Sequence, residues 1–213
     1  MFIDRADAGR QLAEAVAIAA PPDPVVLALP RGGVPLGAAV ADRIGAPLDL
    51  VFVSKLGLPG HSELAAGAIV DGAEPLILWN RDVLRRAGLA EADFADQIVA
   101  KRAETLRRRK LYLSGRAALA LAGRTAILVD DGVATGATLR VALKAVRAQG
   151  AEQVWAAVPV APHDMLPILE EETDRLICLE APRDFVAVGA QYREFGQVQD
   201  AEVVRLLADA AHR

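Results

Sequence analysis

Five short apolar runs, each closed by a turn and separated by helix-like stretches, constrain this chain more than any other feature. They are Val25–Leu29, Leu48–Val53, Ala126–Val129, Val154–Val160 and Leu176–Leu179. Apolar runs of this length read as strands buried on both faces, and intervening helices supply the crossovers that parallel pairing needs. The alternation predicts an α/β fold with a mainly parallel central sheet flanked by helices. Residues 5–20 read as an amphipathic helix stopped by Pro21-Pro22, residues 34–44 as a second, and residues 91–113 as a long charged one. A further helix follows the third run and ends at Gly150, since glycine is a common helix stop. Residues 56–80 and 181–200 fit neither pattern and are expected to form loops and a small hood lobe. Asp71-Gly72 between two apolar pieces signals a hairpin there. The 213 residues read as a single domain.

In an open parallel sheet, ligands bind beyond the carboxyl ends of the strands. Four segments are expected on that rim: Pro30–Gly33, Ser54–Gly60, Asp130–Thr138 and Ala161–Asp164.

Composition narrows the functional classes. A formal charge of −4 gives no support to nucleic-acid binding, which needs clustered positive surface. Cys178 is the lone cysteine, which excludes an internal disulfide and any zinc site with several cysteine ligands; buried strand filler is the expectation for it. The start Met1-Phe2-Ile3-Asp4-Arg5 meets charge at once, unlike a secretory signal, and no apolar run is long enough for a membrane span. A soluble, cytoplasmic protein with no membrane partner is expected.

Residues 127–139 carry the most specific chemistry: Ile127-Leu128-Val129-Asp130-Asp131-Gly132-Val133-Ala134-Thr135-Gly136-Ala137-Thr138-Leu139. An apolar strand runs into two carboxylates, a tight loop and a helix start. Backbone N–H groups with the Thr135 and Thr138 hydroxyls at a helix N-terminus suit a phosphate dianion. Gly136 permits close approach and a positive φ. Asp130 and Asp131 can accept hydrogen bonds from ribose hydroxyls, or draw in a Mg²⁺ already held by a pyrophosphate. A plain helix cap explains Thr135 or one aspartate, but not two adjacent acids at the end of a buried strand. At roughly 6 % per fixed residue, Asp-Asp…Thr-Gly-x-Thr recurs by chance about once in a million windows, so coincidence in one chain is a poor account. No Gly-x-x-x-x-Gly-Lys-Ser/Thr phosphate loop occurs.

Residues 127–139 resemble the PRPP-binding signature of type I phosphoribosyltransferases (PRPP is 5-phosphoribosyl-1-pyrophosphate). Most of the chain resembles a family of predicted bacterial phosphoribosyltransferases whose acceptor is unsettled. The resemblance implies the type I phosphoribosyltransferase fold, Mg²⁺ as cofactor, Asp130 and Asp131 on the ribose hydroxyls, and Ala134, Thr135, Gly136, Ala137 and Thr138 around the 5′-phosphate. Pro30-Arg31-Gly32-Gly33 looks like the family's pyrophosphate loop, with Arg31 and Gly32 meeting the leaving group and a cis peptide expected at Pro30–Arg31. Taken alone it would be an ordinary glycine-rich turn. Lys55 to Glu63 resembles the start of the mobile loop that closes over PRPP. Lys55 there either meets phosphate oxygens or is a solvated loop lysine.

Two departures bear on the chemistry. Some purine-specific members carry an aspartate as acid/base group where this chain has Ala134. His61 and Glu63 are the remaining candidates for that work, on a lid expected over residues 56–70. The tail Pro182–Phe195 resembles the purine enzymes only distantly, and the acid and arginine they place downstream are out of register. Phe185, Val186, Tyr192 and His163 are the candidate acceptor contacts, with core packing the alternative for the aromatics. Arg107-Arg108-Arg109-Lys110 reads as a solvated helix face or a subunit contact. The expected function is transfer of a phosphoribosyl group from Mg–PRPP to a small nitrogen acceptor, in a homodimer. The alternatives are a PRPP-sensing regulator without turnover and a sugar-phosphate hydrolase on the same fold.

Overall fold

A computed structural model describes residues 1–59, 61–71, 75–114 and 116–211; the side chains of residues 61–64 and 211 lie outside that description. Strands β1 (Pro24–Ala28), β2 (Leu48–Leu50), β6 (Thr125–Val129), β7 (Gln153–Val160) and β8 (Arg175–Glu180) form one sheet in the order β2-β1-β6-β7-β8. All four pairings are parallel, with Val26 opposite Ile127 and Ile127 opposite Trp155.

Side chains alternate across the pleat. Val26, Ala28, Ile127, Val129, Trp155 and Ala157 enter one core with Leu12 and Val16 of α1 (Arg5–Ala19), Leu36 and Val40 of α2 (Gly33–Ile44) and Leu207 of α7 (Asp200–Ala211). Val25, Leu27, Ala126, Leu128, Val154 and Ala156 enter the other. There they meet Leu139, Leu143 and Val146 of α5 (Ala137–Ala148) and Leu169 of α6 (Leu166–Glu172). Asp4 caps α1 by accepting from the Asp7 N–H at 2.7 Å, and Gly45 and Gly150 follow α2 and α5 at positive φ.

The run Leu48–Val53 does not stay in one sheet. β2 ends at Leu50, Val51 and Phe52 are buried, and the chain then enters a second sheet of β3 (Val53–Leu58), β4 (His61–Val70) and β5 (Leu76–Trp79), all antiparallel. Residues 56–80, expected as loops and lid, are therefore largely strand. The paired register brings Leu56, Ala66 and Ile69 together with Leu84 of α3 (Arg81–Ala87) and with Phe94, which precedes α4 (Ala95–Leu113). The rings of Trp79 and Phe94 meet edge-on at 5.4 Å. Hydrophobic contact overrides the glycine and proline content that suggested loops.

The run Arg107–Lys110 is not simply a solvated face. Arg109 turns inward and pairs with Asp49 at 3.1 Å and Asp71 at 2.7 Å, while Arg108 lies 5.1 Å from the ring of Phe52. Residues 181–199 contain a single short turn of helix, Val188–Gln191. They are fastened to the N-terminal segment by Phe2 N–H to Gln191 O and Arg193 N–H to Phe2 O, both 2.9 Å. No helix of the described residues is long and apolar enough to cross a membrane.

Candidate active site

Paired on both sides, β6 is buried throughout, and the chain leaves the sheet at Asp130. The Val133 N–H donates to Val160 O at 2.8 Å, which ties the following loop to the end of β7. Ala134, Thr135, Ala137 and Thr138 are exposed around Gly136, the N-cap of α5 at φ 71°. A side chain at Gly136 would be strained by that φ, and its Cβ would meet Met165 Cε at 2.5 Å. No side chain caps this helix, so the capping alternative for the aspartates and threonines fails. The first-turn N–H groups, which have no intrahelical acceptors, open with Thr135 and Thr138 onto a cavity of about 210 Å³ bounded by Asp130 and Val188. A helix N-terminus with free donors and the positive end of its dipole suits a phosphate.

A second loop abuts the carboxylates. The Pro30–Arg31 peptide is cis. A Cβ on Gly32 would overlap the Asp131 carboxylate, and one on Gly33 would come within 2.5 Å of Val129 O. The two glycines thus allow the loop to lie directly against the end of β6. Asp131 is held from the other side by Arg5, with Nε at 2.8 Å and Nη2 at 2.7 Å. Arg5 also donates to Gly196 O at 2.5 Å and stacks 3.8 Å from the Phe195 ring centre. Burial raises both carboxyls above the usual range. The neighbouring Asp131 charge adds to the rise at Asp130, whereas Arg5 works against it at Asp131.

Two carboxylates, an uncapped helix start and a glycine loop thus meet at one rim, and the sequence that builds them matches the phosphoribosyl transferase domain over residues 7–193. The chain belongs to the phosphoribosyl transferase family. Proteins from two strains of Mycobacterium tuberculosis, both named "putative phosphoribosyl transferase", are 45 % identical over the whole of this chain. The chain spans about half of their length, 47 %. A crystal structure of a Thermus thermophilus protein superposes with a TM-score of 0.82 at 42 % identity, covering 98 % of each chain. The architecture is that of the type I phosphoribosyltransferases.

The remaining residues singled out in this phosphoribosyl transferase chain are placed as follows. Lys55 is exposed on β3 and, with Trp79, Thr135, Thr138 and Lys144, lines a cleft of about 960 Å³ between the second sheet and α5. The side chains of His61 and Glu63 lie outside the described residues. His163 is exposed after β7, and its N–H donates to Pro182 O at 3.2 Å, so it adjoins the segment carrying Phe185 and Val186. Val186 is 85 % exposed, while Phe185 packs half-buried against the main core. Tyr192 is not an acceptor platform. Its ring is 5 % exposed, packed between Phe2 and Phe195, and its hydroxyl donates to Asp131 O at 2.5 Å. It props the carboxylate loop from behind.

Arg5 and Asp200 were missed by sequence reasoning. Arg5 is 126 residues from Asp131, and Asp200 is 169 from Arg31, whose Nη1 it accepts at 3.2 Å. Neither belongs to a local pattern. The one available hint was physical: two adjacent acids at a buried strand end require a cation from somewhere.

Proposed function

We propose that the protein binds PRPP as its magnesium complex and transfers the phosphoribosyl group to a small nitrogen acceptor, releasing pyrophosphate. The observation that carries this reading is the Asp130–Thr138 loop, with paired carboxylates beside an open, uncapped helix N-terminus. The 5′-phosphate sits among residues 134–138. The ribose hydroxyls donate to Asp130 and Asp131, and Asp131 exchanges part of its contact with Arg5 for the sugar. Arg31, the Gly32 amide and Lys55 meet the pyrophosphate, where charge-assisted bonds are strong.

Among the described residues no cluster of three or more acidic, histidine or cysteine side chains could cage a metal. That donor set fits Mg²⁺, which takes few protein carboxylates and keeps substrate phosphates as ligands, with Asp130 and Asp131 as its protein contacts. The ion supplies charge neutralisation on the departing pyrophosphate.

The C1–oxygen bond breaks, its electron pair leaves with pyrophosphate, and C1 becomes cationic. Asp130 and Asp131, ionised once the substrate complex is bound, stabilise that cation, and an acceptor nitrogen attacks the opposite face with inversion. The nitrogen's proton passes to a base; Ala134 cannot be that base, and His61 and Glu63 are the candidates. The segment joining His163 to Phe185 and Val186 is the proposed acceptor side. A PRPP sensor without turnover is the second reading; Ala134 is compatible with it, whereas Lys55 and the Arg31 loop argue against it. Release of pyrophosphate in an acceptor screen separates the two.

The direct test is thermal stability with Mg²⁺ and PRPP. At one hundred times the dissociation constant, linkage gives about 2.7 kcal/mol, a rise in melting temperature of roughly 5–10 °C. No rise at millimolar PRPP contradicts the proposal.

A further inference from the structure

Arg31 does not wait empty-handed at the rim. Its Nη1 donates to Asp200 Oδ1 at 3.2 Å, and the same oxygen accepts from the Tyr112 hydroxyl at 2.6 Å. Arg108, one helical turn before Tyr112 on α4, lies 5.1 Å from the Phe52 ring centre and 5.9 Å from that of Tyr112. One guanidinium and a phenol hydroxyl therefore converge on one carboxylate beside the Pro30–Gly33 loop, with the Arg108 guanidinium against the ring of that phenol. That donor set is an oxyanion site, and the chain fills it with its own anion.

The arrangement is built to exchange. The Asp200 side chain is 52 % exposed and that of Arg31 is 30 % exposed; water screens a pair this exposed and makes it easily exchanged. A diphosphate offers more charge and several acceptor oxygens to the same guanidinium. If Arg31 leaves, Asp200 keeps the Tyr112 hydroxyl and its place at the N-terminal end of α7, where a negative charge is favoured. Neither partner is stranded.

We propose that Asp200 is an internal counter-anion that holds Arg31 in place while the site is empty and yields it to the pyrophosphate group. The inference rests on the pyrophosphate role proposed for Arg31 above. Asp200 is a positioning residue, and its charge opposes the ligand that replaces it. Removing that charge strengthens diphosphate binding, which a merely structural residue would not do.

The test is calorimetric titration of magnesium pyrophosphate, and separately of inorganic phosphate, into the native protein and Asp200→Asn. Asp200→Asn is expected to bind pyrophosphate at least threefold more tightly. Phosphate, which fits the 134–138 cradle alone, should change by less than twofold. If Asp200→Asn fails to fold, Asp200→Ser, which keeps a helix-starting hydroxyl, takes its place. Unchanged or weaker pyrophosphate binding on removing the Asp200 charge, with the native protein still binding, overturns this inference and leaves the phosphoribosyltransferase reading standing. Absence of pyrophosphate binding by the native protein overturns both.

Discussion

Asp49 and Asp71 share Arg109 beneath the second sheet, while Asp130 and Asp131 stand beside Arg5 at the rim of the first. The composition is the same, two carboxylates and one arginine, but the surroundings differ. Asp49 is 5 % exposed and accepts from Leu50 N–H at 2.7 Å, Leu119 N–H at 2.9 Å and both contacts of Arg109 at 3.1 Å. Asp71 is 8 % exposed and accepts from Phe52 N–H at 2.6 Å and Arg109 at 2.7 Å. Each of the four carboxylate oxygens has a partner within the fold, and these bonds lock α4, β2 and the end of β4 together. At the rim, Asp130 accepts from the Asp131 N–H at 2.9 Å and borders the phosphate-sized cavity. Acids with satisfied lone pairs are structural; acids held at an open cavity are available to a ligand.

Breaking the two clusters should have opposite consequences. Arg109→Ala strands two buried carboxylates and should cost about 3–5 kcal/mol, a fall in melting temperature of roughly 6–20 °C. A loss below 1 kcal/mol would mean that Asp49 and Asp71 are not dependent on it. Asp131→Asn removes the partly buried ion pair with Arg5 and leaves that guanidinium under-satisfied. A loss of about 1–3 kcal/mol is expected, read from denaturant unfolding. Asp130→Asn removes the acid that has no arginine of its own and should stay within about 1 kcal/mol of the native protein.

Asp130 also sharpens the contrast through pH. Its raised carboxyl holds a proton that the unfolded chain has already released. Its contribution to stability is therefore greatest below the ordinary carboxylate range and is lost as pH rises toward the raised value. Asp130→Asn should flatten that part of the stability profile between about pH 4 and 8. Parallel profiles for the two proteins would show that Asp130 titrates normally.

The sequence signals differ in reach. The strands of the main sheet were legible because each is a short, mostly apolar run ended by a turn residue, interrupted in β2 by Asp49. The loop Asp130–Thr138 was legible because its chemistry is contiguous in sequence. The division of Leu48–Val53 between two sheets was not, since apolarity alone does not say which partner a strand finds. Residues 56–80 look like loop when Gly57, Pro59, Gly60 and Gly67 are weighed, yet Leu56, Ala66 and Ile69 share a core only once β3 and β4 are paired. Tyr192 was misread because an aromatic in an irregular stretch has the same local sequence whether its ring faces a ligand or the core. Arg5 and Asp200 meet their partners only through the tertiary fold.

Calorimetric titration of PRPP with Mg²⁺ into the native protein and Asp130→Asn tests the central claim most directly. The account predicts saturable binding to the native protein and affinity at least tenfold weaker in the variant, about 1.4 kcal/mol, while both unfold at nearly the same temperature. Equal affinity in the two proteins, or no binding by the native one at millimolar PRPP, would contradict it.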